Sequence, residues 1–427
     1  MPKRPSTNTL YTNDNLYVLA GMNSESVDLI YLDPPFNSKR MYSAPVGSKA
    51  AGASFKDTWT WKDVDEYYLD SLADQFPALT KYIASVGTVH SKPMMAYLTY
   101  MAQRIVEMHR ILKATGSVYL HCDPSAGHYL KGLLDAVFGK NNFRNEIVWC
   151  YSVGGKSKRT FGKKHDTIYF YSKGSKFIFN ADKIKIEMKS GKNSFGGRTE
   201  IDEDGRIYRL VYGSKNSRGE TRYYKYYLDK GKIPEDWWTD INSLQSGVGE
   251  RTGYPTQKPL ELLKRIVLAS SNEGDVVMDP FCGCATTCVA AQQLQRQWIG
   301  IDIEKQAVSM LVQRLSDAGR LFRDFVATDH IPKRSDIKVV LPSESVKQRL
   351  YKEQDGKCNA CGQDFELRNL ELDHIIPKSK RGGDYYENYQ LLCGSCNRIK
   401  GNRPMEYLQM KIETHEQMIK NRVFFGE

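Results

Sequence analysis

Asp33, Pro34, Pro35 and Phe36 follow an apolar run, residues 27–32, that reads as a buried strand. Two prolines in succession neither continue a strand nor enter a helix interior, so the chain must turn there. The turn carries a carboxylate, a free carbonyl and an aromatic face. An exocyclic amino group on a nucleobase offers two N–H donors in the plane of its ring. The Asp33 carboxylate and the Pro34 carbonyl can accept both, while Phe36 stacks on the ring, as catalysis on an extruded base requires. Taken alone, Asp-Pro-Pro is equally an ordinary tight turn.

Two further sets of residues have spacings that chemistry can use. A strand over 275–278 runs into Asp279-Pro280-Phe281-Cys282-Gly283-Cys284-Ala285, then a helix, then a strand over 297–301 that ends in Asp302. Strand, small-residue loop, helix, strand and acid is the layout of a nucleoside-binding crevice. The third set is Cys358-x-x-Cys361 with Cys393-x-x-Cys396. Four thiols at this spacing in a reducing compartment suit a closed structural Zn²⁺ site. Residues 362–392 between the pairs hold Leu372-Asp373-His374, Gly382-Gly383 and Asn388, and Asn397 and Lys400 follow the last pair.

The elements that must position these groups alternate. Leu98, Met101, Ile105, Met108 and Leu112 recur at helical spacing over 94–113, and Ala114-Thr115-Gly116 should end that helix. A strand over 117–122, a helix over 125–138 and a strand over 146–151 come next. The fold class expected is α/β, a doubly wound and mostly parallel sheet with a small C-terminal zinc-containing domain. Residues 41–92 read as a long loop or lid with a short helix around 63–75. Residues 152–250 change texture: Lys158, Arg159, Lys163, Lys164, Arg218, Arg222 and Lys225 interleave with Tyr and Phe, a mixture suited to phosphate and base contact. Residues 331–345 read as a linker and 406–427 as an amphipathic helix.

The chain has 427 residues, enough for two or three domains, and a net charge of +11, which favours a polyanionic partner. The first residues lack the apolar core of a signal peptide, and no segment is apolar for long enough to span a bilayer. The expected location is cytoplasmic, with no membrane partner.

Asp33-Pro34-Pro35-Phe36, Tyr254-Pro255-Thr256-Gln257-Lys258-Pro259, Asp279-Pro280-Phe281-Cys282-Gly283 and Trp298-Ile299-Gly300-Ile301-Asp302 together resemble the motifs of DNA amino-methyltransferases, in the order of the β class. The resemblance implies S-adenosyl-L-methionine as cofactor, double-stranded DNA as substrate and methylation of adenine N6, or else of cytosine N4. Asp at the head of the catalytic loop favours adenine. Asp33 and Pro34 would hold the target amino group, with Pro35 stiffening the loop and Phe36 stacking. Phe281 and Gly283 would line the cofactor behind Asp279, Asp302 would take the ribose, and Thr256 and Lys258 the methionine end. Cys284 stands where the family usually has a second glycine. Cytosine C5 chemistry is excluded by its need for Pro-Cys, because none of the 16 prolines precedes a cysteine. Residues 346–405 resemble an HNH endonuclease with a ββα-metal fold. That implies His374 as general base, Asp373 and Asn397 as Mg²⁺ ligands and Asn388 as the residue orienting His374. The domains expected are 1–330 for methyl transfer, with target recognition in about 152–250, and 346–427 for the nuclease module, in restriction-modification or phage and host DNA defence. An RNA amino-methyltransferase, or a cytosine enzyme whose HNH module only binds DNA, fits the same motifs. The sequence leaves a homodimer open.

Overall fold

The protein is described here from a computed structural model that covers residues 8–36, 40–44, 48, 50, 54–64, 72, 75–151, 158–187, 199–244, 250–317, 325–336, 346–380, 382–383 and 386–424. The chain divides into two compact units, residues 4–329 and 330–427. The linker expected over 331–345 and the short helix around 63–75 lie largely outside the described residues. No helix among the described residues is long and apolar enough to cross a membrane.

The larger unit is built on β1 (Thr9–Thr12), α1 (Asn15–Gly21), β2 (Val27–Leu32), a hairpin of β3 (Arg40–Ser43) and β4 (Ser54–Asp57), α2 (Pro77–Val89), α3 (Lys92–Ile111), β5 (Leu112–Cys122) and α4 (Gly127–Phe138). There follow β6 (Phe143–Cys150), β7 (His165–Ser172), β8 (Thr199–Ile201), β9 (Ile207–Lys215), β10 (Thr221–Tyr227), β11 (Trp237–Trp238), α5 (Leu260–Ser270), β12 (Val276–Asp279), α6 (Thr286–Gln293), β13 (Gln297–Asp302), α7 (Gln306–Asp317) and β14 (Val326–Thr328).

Nine strands form one sheet in the order β11-β6-β7-β5-β2-β12-β13-β1-β14. It is parallel except for β7, which runs antiparallel to both β5 and β6. Every residue of β2 is buried, as a strand covered on both faces requires. One face packs on α3, whose Leu98, Met101, Ile105 and Met108 are at most 1% exposed, and the other on α5 and α6. The expected Met and Leu stripe is therefore core.

Two expectations need correction. Gly116 does not end α3. The helix stops at Ile111, and the chain passes directly into β5, so Leu112 belongs to the strand. The register of β5 against β2 shifts between Leu112 and Ser117, and a Cβ on Gly116 would lie 2.9 Å from the Asp28 carbonyl. The glycine serves a close backbone approach inside a strand. Residues 41–92 also hold more than a loop. α2 lies there, with Leu79, Ile83 and Val86 buried, and Trp59 packs on Tyr97 and Tyr100.

The stretch 152–250 contributes β7 and β11 to the main sheet, whereas β8, β9 and β10 make a separate antiparallel sheet. The second unit has α8 (Val346–Glu353), β15 (Leu370–His374), β16 (Tyr389–Cys393), α9 (Gly394–Lys400) and α10 (Met405–Phe424). β15 and β16 form an antiparallel pair followed by α9, around a core of Leu350, Leu370, Leu391, Leu392 and Leu408.

Candidate functional sites

β2 and β12 are parallel neighbours, with Val277 opposite Leu29. The chain leaves β2 for β5 on one side and leaves β12 for β13 on the other. The carboxyl ends of these two strands are therefore the switch point where an α/β sheet opens a crevice. Asp33 follows β2 and Asp279 ends β12, so both loops singled out in the sequence meet there.

Asp33 is held from across the crevice. Lys258 Nζ lies 2.5 Å from Asp33 Oδ2 and 3.4 Å from the Thr256 carbonyl oxygen, and it stands 5.6 Å from the centroid of the Phe36 ring. The lysine side chain is 9% exposed, so the ion pair is largely shielded from water. Asp33 Oδ1 is buried and has no hydrogen-bond partner among the described residues. A buried carboxylate oxygen left unmatched is costly, which makes it an acceptor poised for an incoming donor. Pro34 is buried, and Phe36 packs at the edge of the core.

Beneath this loop runs a polar chain absent from the sequence reading. The Tyr31 hydroxyl is 2.9 Å from His121 Nδ1, His121 Nε2 is 3.0 Å from Asp166 Oδ2, and the Tyr151 hydroxyl donates to Asp166 Oδ1 at 3.0 Å. Burial, then the charges of Asp33, Asp279 and Asp166, push the Tyr31 phenol well up, so it stays protonated and can donate to Nδ1. His121 Nε2–H is then the donor to Asp166. Burial works against ionisation of Asp166, but the hydrogen bond from His121, the charge of Lys258 and the hydrogen bond from Tyr151 hold the carboxyl below its usual range. The His121 ring lies under Phe36 at 6.5 Å between centroids and 27° between planes. The signal was there: a histidine inside a buried strand must find partners.

In the second loop, Asp279 accepts from Thr287 Oγ1 at 2.5 Å and from Phe281 N at 3.1 Å, and burial pushes its carboxyl up to about 7. Asp302 accepts from Gly283 N at 2.7 Å and Glu304 N at 2.8 Å, and burial pushes it up to about 6. Gly283 has φ +49°, and a Cβ there would meet the Tyr254 ring at 2.9 Å. Cys284, where the family usually has glycine, avoids the left-handed region. Ala285 adopts it instead (φ 59°, ψ 31°), while the Cys284 carbonyl accepts from Arg314 at 3.0 Å. Thr256 is exposed, its hydroxyl donates to the Pro255 carbonyl at 2.6 Å, and its φ is +64°. That is a strained backbone for a β-branched residue, set beside the crevice. Asn15 ties the loop to α1 by donating to the Pro280 carbonyl at 2.7 Å, and buried Arg104 holds Asn15 and Asp14.

In the second unit the Sγ atoms of Cys358, Cys361, Cys393 and Cys396 lie within 4.8 Å of one another. Cys393 N donates to Cys358 Sγ at 3.2 Å, and Cys396 N points at Cys393 Sγ at 3.5 Å. Four converging sulfurs with backbone N–H support fit a tetrahedral metal. The other residues singled out here have partners of their own. Asn397 donates to Glu371 at 2.6 Å, whereas Asp373 accepts from Gln390 at 2.8 Å and from buried Lys400 at 2.9 Å. Lys400 also donates to the His374 carbonyl at 2.7 Å. Asn388 bridges the Ile376 backbone and the Gly383 carbonyl, shaping the loop after His374. The His374 ring lies 4.7 Å from that of Tyr389.

A DNA methylase family model matches residues 27–313, and an HNH endonuclease model matches residues 358–403. The DNA adenine methyltransferase YhdJ of Escherichia coli K12 is 29% identical over 342 residues, which span 78% of this chain and 93% of that one. The type II methyltransferase M.EcaI of Enterobacter cloacae is 31% identical over 288 residues, 58% of this chain and 63% of that one. Among solved structures, the cytosine-N4-specific PvuII DNA methyltransferase superposes with a TM-score of 0.43 at 13% identity, over 73% of this chain and 87% of that one.

Asp279 and Asp302 bind their protons more tightly folded than unfolded. Their contribution to stability is therefore complete below about pH 4 and is lost as pH rises through about 6 to 7. Asp279→Asn should gain thermal stability relative to the wild type as pH rises across that window. Melting temperatures measured in a pH series check this, and a difference that stays constant with pH contradicts it.

Proposed function

This chain belongs to the DNA methylase family and carries an HNH endonuclease domain behind it, and from that premise we propose that it methylates adenine N6 in double-stranded DNA. S-adenosyl-L-methionine, bound across the crevice, supplies an electrophilic methyl group on its sulfonium. The chain's own residues do the rest. The observation that carries the reading is the buried, unmatched Asp33 Oδ1 beside an ion-paired Oδ2. Lys258 fixes the carboxylate, so Oδ1 and the Pro34 carbonyl present two acceptors to one amino group. Hydrogen bonding both N–H groups draws the nitrogen lone pair out of ring conjugation. Alignment and electrostatics then supply most of the rate without a covalent intermediate. Phe36, backed by His121, takes the face of the base. Asp302 accepts ribose hydroxyls, the Gly283 turn admits the ligand's backbone-close approach, and Phe281 lines it. Thr256 sits at the methionine end. The name of the Escherichia coli relative and the aspartate at position 33 both favour adenine.

The β8–β10 sheet suits target recognition. It exposes Tyr212, Tyr223, Tyr224 and Tyr226 beside Lys225 and Arg206, aromatic faces among cations. The cytoplasm is where the protein would meet its DNA, in restriction-modification or defence.

In the C-terminal unit the four cysteines hold Zn²⁺ as a structural staple. The Asp373 carboxylate and the Asn397 amide oxygen are hard donors that suit Mg²⁺. Lys400 anchors Asp373, and Asn388 fixes the loop that leaves His374 facing the phosphodiester as general base. The unit then cleaves or nicks DNA.

With radiolabelled cofactor and unmethylated DNA, the wild type should form N6-methyladenine. Asp33→Ala should lower the rate by about a thousandfold or more while cofactor binding persists. N4-methylcytosine would overturn the choice of base, and an active Asp33→Ala would overturn the mechanism. For the nuclease, Mg²⁺- or Mn²⁺-dependent cutting of methylated or unmethylated plasmid should vanish in His374→Ala. Cutting that survives would remove His374 as the base.

A further inference from the structure

The geometry points to Phe161 as the side chain that enters the DNA stack when the target base leaves it; this rests on the methyltransferase reading above. Phe161 is 100% exposed. A single exposed apolar residue is ordinary on a protein surface. Its setting is not. It lies in Lys158-Arg159-Thr160-Phe161-Gly162-Lys163-Lys164, where four of seven residues are cationic. This segment belongs to the connection between β6 and β7 and leads directly into β7. β6 runs parallel to β5 and β2, because β7 is antiparallel to both β5 and β6. The carboxyl end of β6 therefore shares its edge with Asp33.

The root of the arm is also tied to the crevice. Tyr151 N donates to the Lys164 carbonyl at 2.9 Å, closing the arm. The Tyr151 hydroxyl reaches Asp166, and Asp166 holds His121 beneath Phe36. One hydrogen-bonded chain thus joins the base of the arm to the ring that backs the extruded base.

Extrusion breaks the stacking of the target base with its neighbours, and an inserted apolar side chain restores contact in the space left behind. The folded protein leaves the Phe161 ring in water, while the surrounding cations draw the arm to phosphates. On matched DNA, losing the wedge penalises the extruded state. On DNA where the target base has no pairing partner, extrusion costs less and the wedge matters little.

The modified adenines of unmethylated plasmid first identify the site. Single-turnover methyl transfer is then measured on a duplex with that adenine paired to thymine, and on the same duplex with an abasic position opposite it. Phe161→Ala should be slower than wild type by about tenfold or more on the paired duplex. It should be near wild type on the abasic one, and Phe161→Trp near wild type on both. An equal loss on both duplexes, or no loss on the paired one, overturns the proposal. Wild type transferring no methyl group to either duplex would instead overturn the site reading beneath it.

Discussion

The ion pair between Lys258 and Asp33 is the contact on which the site depends. The two residues are 225 positions apart, one after β2 and the other just before α5. Their bond closes the Asp33 loop against the segment that leads into α5. It also decides which oxygen remains open to a donor: Oδ2 is taken by the lysine, so Oδ1 is left without a partner among the described residues. An ion pair this shielded is weak evidence for stability, since desolvation offsets much of the attraction. Its value lies in orientation. Losing the lysine would leave a buried carboxylate free to rotate.

The sheet makes this pairing possible. β2 and β12 lie side by side and send their chains in opposite directions, so their loops face one crevice. Behind them, Tyr31, His121, Asp166 and Tyr151 fill the space between β2, β5, β7 and β6 with matched donors and acceptors. A fully satisfied polar chain of this kind fixes a ring such as Phe36 more firmly than apolar packing alone, because each member admits few orientations.

Much of this was legible in the sequence. Asp33-Pro34-Pro35-Phe36, the Asp279 loop and the Cys-x-x-Cys pairs are local chemistry, and local spacing survives without knowledge of the fold. β2 falls on the residues its apolar run suggested. What stayed hidden was pairing at a distance. Nothing near Lys258 says that it meets Asp33, and nothing near Asn397 says that its amide turns to Glu371 while Lys400 takes Asp373. Gly116 looked like a helix stop because close backbone approach inside a strand leaves no sequence mark beyond the glycine itself. Cys284 stands in the place of a glycine, yet the left-handed conformations fall on either side of it, on Gly283 and Ala285.

The most direct test of the central claim is a double-mutant cycle in single-turnover methyl transfer with Asp33→Asn, Lys258→Met and both together. If Lys258 acts by holding Asp33, the double variant should be no slower than Asp33→Asn alone, and the two single effects should fail to add. Effects that simply multiply would mean that the lysine serves the reaction independently, and the account built on their pairing would be wrong.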